Sequence, residues 1–207
     1  MIHIDKNLEP RNLTHFREST PAASYSGLPT NIKDEIRGYL LKEQGYVCAY
    51  CMRRIKLETT SIEHYAPQSI NDTNDLNYEN MLGVCFGNEG DPYKRQTCGS
   101  HRGNSQLTVN PLVKGSVGKI EYSRDGHIKS KDATIDHDLN ETLNLNVSLL
   151  VSNRKSVLLA LIGKLSMCKG SGTWRDLAWK YINKINKDEV KQEYCGILLW
   201  YLYMKAK

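Results

Sequence analysis

No run of about 18 apolar residues occurs in this 207-residue chain, so a membrane-spanning helix is not expected. The opening Met1-Ile2-His3-Ile4-Asp5-Lys6 lacks the apolar stretch of a signal peptide. The expectation is a cytoplasmic protein with no membrane partner. Charge of one sign is scarce too: the net +5 is mild and spread along the chain, which permits a nucleic-acid partner without demanding one. There is no internal repeat and no low-complexity tract, which sets aside repeat architectures. Nor is there a thioredoxin-like βαβ context, which weakens a redox role for any paired cysteines.

What is present is a globular composition, 40% hydrophobic and 25% charged. This length can bury a sizeable core. The six cysteines, expected to stay reduced in the cytoplasm, read as metal ligands or buried thiols rather than disulfides.

Residues 1–28 carry sparse apolar positions interrupted by Pro10, Pro21 and Gly27, and read as a mostly extended arm. Thr30 and Asn31 offer an N-cap. Ile32, Ile36, Leu40 and Leu41 follow at helical spacing, and Gly45 supplies a stop, so a helix is predicted over 31–44. Between 46 and 104 periodicity is poor, while Cys, Gly, Asn and Pro abound. Such a segment needs a metal to hold it. Arg124-Asp125-Gly126 between two short alternating runs predicts a β-hairpin. Three helices are predicted over 153–167, 174–185 and 189–205, with Gly170-Ser171-Gly172 as a break. Cys168 and Cys195 fall in apolar helical patterns and read as buried thiols.

Cys48 and Cys51 form a CxxC knuckle, and Cys85 and Cys98 are the natural second pair, separated by the insert Phe86–Thr97. Four thiolates from two loops suit a structural zinc ion, with buried free thiols as the plainer alternative. Between the pairs stands Glu63-His64. A metal-dependent phosphodiesterase needs a base for water and a hard ligand for a divalent cation, and these two side chains could supply both. On a strand they point to opposite faces. Asn80 could fix the loop that orients His64. His101 or Asn104 could complete the metal shell, with Asn88 a third candidate. Arg53, Arg54 and Lys56 follow the knuckle, and Lys94, Arg95 and Arg102 lie near the second pair. They read either as phosphate contacts or as a solvated surface. Tyr50, Tyr65 and Tyr93 could stack on bases or fill a small core.

Cys48-x-x-Cys51, Glu63-His64-x-x-Pro67, Asn80-x-x-x-x-Cys85 and Cys98-x-x-His101-Arg102-Gly103 resemble the ββα-metal motif of HNH endonucleases. The resemblance implies His64 as general base, Asn80 as its orienter, and Glu63 and His101 as ligands of a catalytic Mg²⁺ or Mn²⁺. Cys48, Cys51, Cys85 and Cys98 would be a structural Zn²⁺ site, with Arg53, Arg54 and Arg102 at the substrate. Two departures stand out: Glu63 replaces the usual Asp, and a long insert splits the second cysteine pair. The wider pattern, from Ile4 and Pro10 to Leu143-Asn144-Leu145-Asn146, is similar to the PtuB family of Septu-type and retron-associated anti-phage systems. It implies a toxic effector nuclease acting on DNA or RNA, transfer RNA included, with a PtuA-like ATPase. A retron reverse transcriptase and its RNA-linked DNA are further implied partners. The expected fold is α+β. Its parts are an arm and lead-in helix (1–46), a zinc-stapled ββα-metal core (47–106), and a hairpin with a C-terminal helical region (107–207). Trp200, Tyr201 and Tyr203 in the last helix offer a docking surface or simply core.

Overall fold

The structure, a computed structural model, describes residues 1–67, 75–167 and 173–207. Cys168 and the expected break at 170–172 lie outside the described residues.

The residues before the core form more than an extended arm. A helix α1 spans Arg11–Ser19, entered from Pro10, whose carbonyl accepts the Leu13 amide. Pro suits a helix entrance because no intrahelical partner waits for its missing N–H. Leu13 is fully buried and Phe16 packs beside it against Ile32, Ile36 and Leu40. Those residues belong to α2 (Thr30–Glu43), close to the span predicted from periodicity. No side-chain cap forms at its start, where Pro29 precedes the first turn.

The central sheet is β1 (Thr60–His64) paired antiparallel with β2 (Met81–Cys85), with His64 opposite Met81 and Glu63 opposite Leu82. The short helix α3 (Cys98–Arg102) follows. One sheet face, through Ile62 and Met81, joins the apolar cluster of α1 and α2. The other, through Leu82 and Val84, joins the larger cluster around the cysteines. A two-stranded sheet has too little surface to be stable alone. Buried Gln44 reinforces its edge: the carboxamide donates to Val47 O and Gly83 O and accepts from Gly83 N.

Beyond α3, a helical turn α4 (Lys114–Val117) leads into the hairpin β3 (Ile120–Tyr122) and β4 (Ile128–Ser130). Gly126 turns it with φ +100°, and a Cβ there would meet the Val151 carbonyl at 2.2 Å. Helix α5 (Ala133–His137) runs into a π-helical turn, Asp138–Thr142. Helices α6 (Ser148–Met167), α7 (Trp174–Lys187) and α8 (Cys195–Ala206) complete the chain. The last starts later than predicted, because Tyr194 sits at φ 57° and interrupts the helical path. Of its aromatics Tyr201 is buried, Trp200 packs near Tyr122, and the exposed Tyr203 meets Trp179 edge-on. Cys195 is buried as expected, and burial pushes its thiol up to about 11. Among the described residues, no helix is long and apolar enough to cross a membrane.

Candidate metal and nuclease site

The knuckle Cys48–Cys51 lies against β2 through Ala49 N–H to Gly83 O. Cys85 ends β2, and Cys98 opens α3 with its amide on the Leu143 carbonyl. The 12-residue insert between them does not spoil this meeting. It is closed at its base by Thr97 N–H to Gly87 O and Asn88 Nδ2 to Arg95 O. All four Sγ atoms lie within 4.8 Å of one another and are buried. The closest separations are 3.7 Å (Cys51–Cys85), 3.8 Å (Cys85–Cys98) and 3.9 Å (Cys48–Cys98). Four sulfurs at about 2.3 Å from a tetrahedral zinc stand about 3.8 Å apart. The quartet therefore fits the ion. It is the one gathering of three or more such donors among the described residues. Burial disfavours the Cys48 thiolate, but hydrogen bonds from the other three thiols outweigh it and hold its pKa well below the ordinary value. Cys51 and Cys98 are pushed up, first by their bonds to Cys48. A polarised set of this kind is ready to lose protons to a metal.

Glu63 and His64 do face opposite sides of β1. Glu63 looks toward α3, where Oε1 meets Arg102 Nη1 at 2.5 Å. Oε2 rests over Gly99, where a Cβ would come within 2.9 Å of it. Glycine is thus required for α3 to sit so close to β1. Burial raises the Glu63 carboxyl above its ordinary value, and Arg102 opposes that rise. His64 looks toward α1 and α2. Its Nε2 is 2.7 Å from the Asp75 carbonyl, and Tyr25 packs edge-on at 4.8 Å. A carbonyl only accepts, so Nε2 carries the hydrogen and Nδ1 keeps the lone pair. Burial lowers the imidazole pKa, which favours the neutral form. Tyr25 N–H in turn donates to Asp75 Oδ2.

Asn80 clamps the chain just past His64. Its Oδ1 accepts from Ala66 N and its Nδ2 donates to Ala66 O, while its own carbonyl accepts from Tyr65 N. His101 points elsewhere. It stands about 200° around α3 from Gly99, hence on the side away from Glu63. Its ring stacks on Tyr93 at 4.0 Å, and its Nδ1 is 3.1 Å from Thr142 O, leaving Nε2 as the free nitrogen. Asn88 is occupied by Arg53 and Arg95, and Asn104 is exposed.

The basic residues behave differently from a phosphate-facing row. Arg102 is 3% exposed, and besides Glu63 it donates to Tyr50 Oη and to the carbonyls of His64, Tyr65 and Ser105. Arg54 is spent on the carbonyls of Gly45, Tyr46 and Lys191. Arg53 is half-buried on Asn88. Lys56, Lys94 and Arg95 are exposed. Tyr50 is buried and Tyr65 donates its hydroxyl to Leu107 O, so of the three tyrosines Tyr93 alone offers an open ring. Sequence reasoning passed over Tyr25, Asp75, Gly99 and Gln44. No periodicity or motif marks them, since each acts through a partner distant in sequence.

No protein-family model matches the chain. The chain is 25% identical over 207 aligned positions to a protein of Vibrio cholerae serotype O1 biovar El Tor named "Retron Vc95 putative HNH endonuclease". The alignment covers 93% of this chain and 98% of that protein.

Proposed function

We propose that this chain is a metal-dependent HNH endonuclease, hydrolysing phosphodiester bonds in DNA or RNA, with a structural zinc held by Cys48, Cys51, Cys85 and Cys98. The observation that carries the reading is the state of His64. It ends β1, its Nε2–H is tied to a carbonyl, its Nδ1 is left basic, and the backbone beyond it is clamped by Asn80. A neutral imidazole held in one tautomer, its protonation disfavoured by burial, is what proton abstraction from water asks for. The near-full-length similarity to an HNH endonuclease supports the same reading.

In this reading His64 Nδ1 takes a proton from the attacking water, and Asn80 fixes the turn that aims the imidazole. Glu63 would hold Mg²⁺ or Mn²⁺, which when bound would neutralise charge on the scissile phosphate, whereas His101, expected as the second ligand, lies on the far side of α3 and takes no part in holding that ion. Glu63 keeps Oε2 clear of its ion pair. Phosphate contact falls to the exposed Lys56, Lys94 and Arg95 rather than to Arg54 and Arg102, whose guanidinium groups are committed inside the protein. A retron setting, a toxic anti-phage role, a PtuA-like ATPase partner and a reverse transcriptase with RNA-linked DNA belong to the same proposal. The relative's name supports only the retron and nuclease parts of it.

A second reading, a zinc-stabilised binding module without catalysis, is favoured by one observation. Glu63 is ion-paired and His101 lies across α3 from it, so no catalytic ligand set is assembled among the described residues. Cleavage of DNA and RNA with Mg²⁺ or Mn²⁺ separates the two, using wild type, Glu63→Ala, His64→Ala and His101→Ala with the ATPase partner present. The nuclease reading expects loss in the Glu63 and His64 variants at unchanged zinc content. The binding reading expects no cleavage from any of the four proteins, with nucleic-acid binding retained in all.

A further inference from the structure

A metallated cysteine quartet sets an electrostatic problem for the rest of the fold. Four thiolates around Zn²⁺ carry a net charge of about −2, and all four cysteines are buried. A buried charge without a counter-charge is costly. Glu63 and Arg102 already neutralise each other nearby, so they leave nothing over.

Two arginines stand beside the segments that carry the cage, and neither has a carboxylate partner among the described residues. Arg154 in α6 is 2% exposed. Its guanidinium donates only to neutral acceptors: Nε to Gly126 O at 2.6 Å, and Nη2 to Leu145 O at 2.8 Å and Asn146 Oδ1 at 3.0 Å. Leu145 lies two residues beyond Leu143, whose carbonyl takes the amide of Cys98. The neighbouring Asn153 donates to Tyr194 Oη, and the Tyr194 amide donates to the carbonyl of Met52, next to Cys51. Arg154 thus bonds the segment that holds Cys98, and its neighbour Asn153 is linked through Tyr194 to Met52 beside Cys51. Arg53 comes from the other side, two residues after Cys51. Its Nη1 holds Asn88 Oδ1, three residues past Cys85, and its buried Nη2 has no hydrogen-bond partner. Burial lowers the Arg154 pKa, and Tyr122, Cys51, Tyr194 and Cys98 oppose that fall.

We propose that Arg53 and Arg154 are the counter-charges of the four-cysteine zinc centre, two fixed cations offsetting the charge of the metal–thiolate group. The inference rests on the zinc reading of the quartet and is independent of whether the chain cleaves nucleic acid. A buried arginine with only carbonyls around it is poorly compensated in the metal-free protein. It becomes well compensated when zinc replaces the thiol protons, which leave to solvent.

The test is zinc affinity of the full chain, read by competition with a chromophoric chelator, for wild type, Arg53→Gln, Arg53→Lys, Arg154→Gln and Arg154→Lys. Removing the charge should weaken zinc binding about 10- to 100-fold, the range for partners that surround metal ligands. Lysine keeps the charge while losing the guanidinium geometry, so the lysine variants should hold zinc much better than the glutamines. Equal weakening by lysine and glutamine would mean a hydrogen-bonding role and would overturn the proposal, as would wild-type affinity in both glutamine variants. Should Arg154→Gln fail to fold, the half-buried Arg53 pair decides by the same comparison. Failure of wild type itself to bind zinc overturns the zinc reading and this inference together, whereas zinc bound alike by every variant overturns this inference alone.

Discussion

Two demands meet at Glu63. As a buried carboxylate it needs a partner, and Arg102 supplies one; as the proposed metal ligand it would need a free oxygen, and the ion pair leaves Oε2, over Gly99, for that. Removing one member of a buried pair strands the other, so Arg102→Met should destabilise the chain by about 3–5 kcal/mol, read from urea unfolding. The loss includes the carbonyl bonds that Arg102 makes across Tyr65 and Ser105. Gly99→Ala would push a methyl into the Glu63 carboxylate. It should cost about 1–3 kcal/mol by the same measurement. An unchanged unfolding midpoint in Gly99→Ala would show that α3 does not press on β1 as described. The strand period already put Glu63 and His64 on opposite faces. What it could not give was the partner on each face, because Arg102, Gly99, Asp75 and Tyr25 come from segments far apart in sequence.

Among the elements, legibility followed local signal. Helix α2 and the β3–β4 hairpin were readable because a periodic stripe and an Asp-Gly turn lie within one short window. Helix α1 was not, since Leu13 and Phe16 are too few to form a stripe and are held by α2 across a loop. The short α4 and α5 and the π-helical turn carry no amphipathic period at all. The start of α8 was missed because Tyr194 takes a left-handed conformation while remaining apolar in the pattern. The four cysteines were legible as a set, and the insert that blurred their pairing proved to be a closed loop. His101 was legible as a candidate metal ligand beside Asn104 and Asn88, but its side of α3 depends on where Gly99 and Arg102 dock. Element ends can be probed singly. Thr173 caps α7 by accepting from the Asp176 amide while Asp176 accepts from the Thr173 amide. Thr173→Ala should cost about 1 kcal/mol in thermal or urea unfolding and leave zinc content unchanged.

For the whole molecule, the fold has two apolar clusters separated by a sheet of only two strands, with the cysteine cage in the larger one. Little regular structure holds the described residues of 46–104 together, so the metal should be a folding cofactor rather than an ornament. The purified chain should carry one zinc per molecule. Chelation should lower the melting temperature and expose amides of 46–104 to hydrogen exchange ahead of α7 and α8. Cys98→Ser should do the same without chelator. Uniform protection after zinc removal would count against the staple. The proposed division of labour is between a cage that holds shape and a histidine that does chemistry. The most direct measurement is cleavage of DNA and RNA by zinc-loaded wild type and His64→Ala, with Mg²⁺ or Mn²⁺ and the proposed PtuA-like ATPase supplied. Wild type should cleave and His64→Ala should not, with zinc content and melting temperature unchanged. Equal cleavage by both proteins would contradict that division.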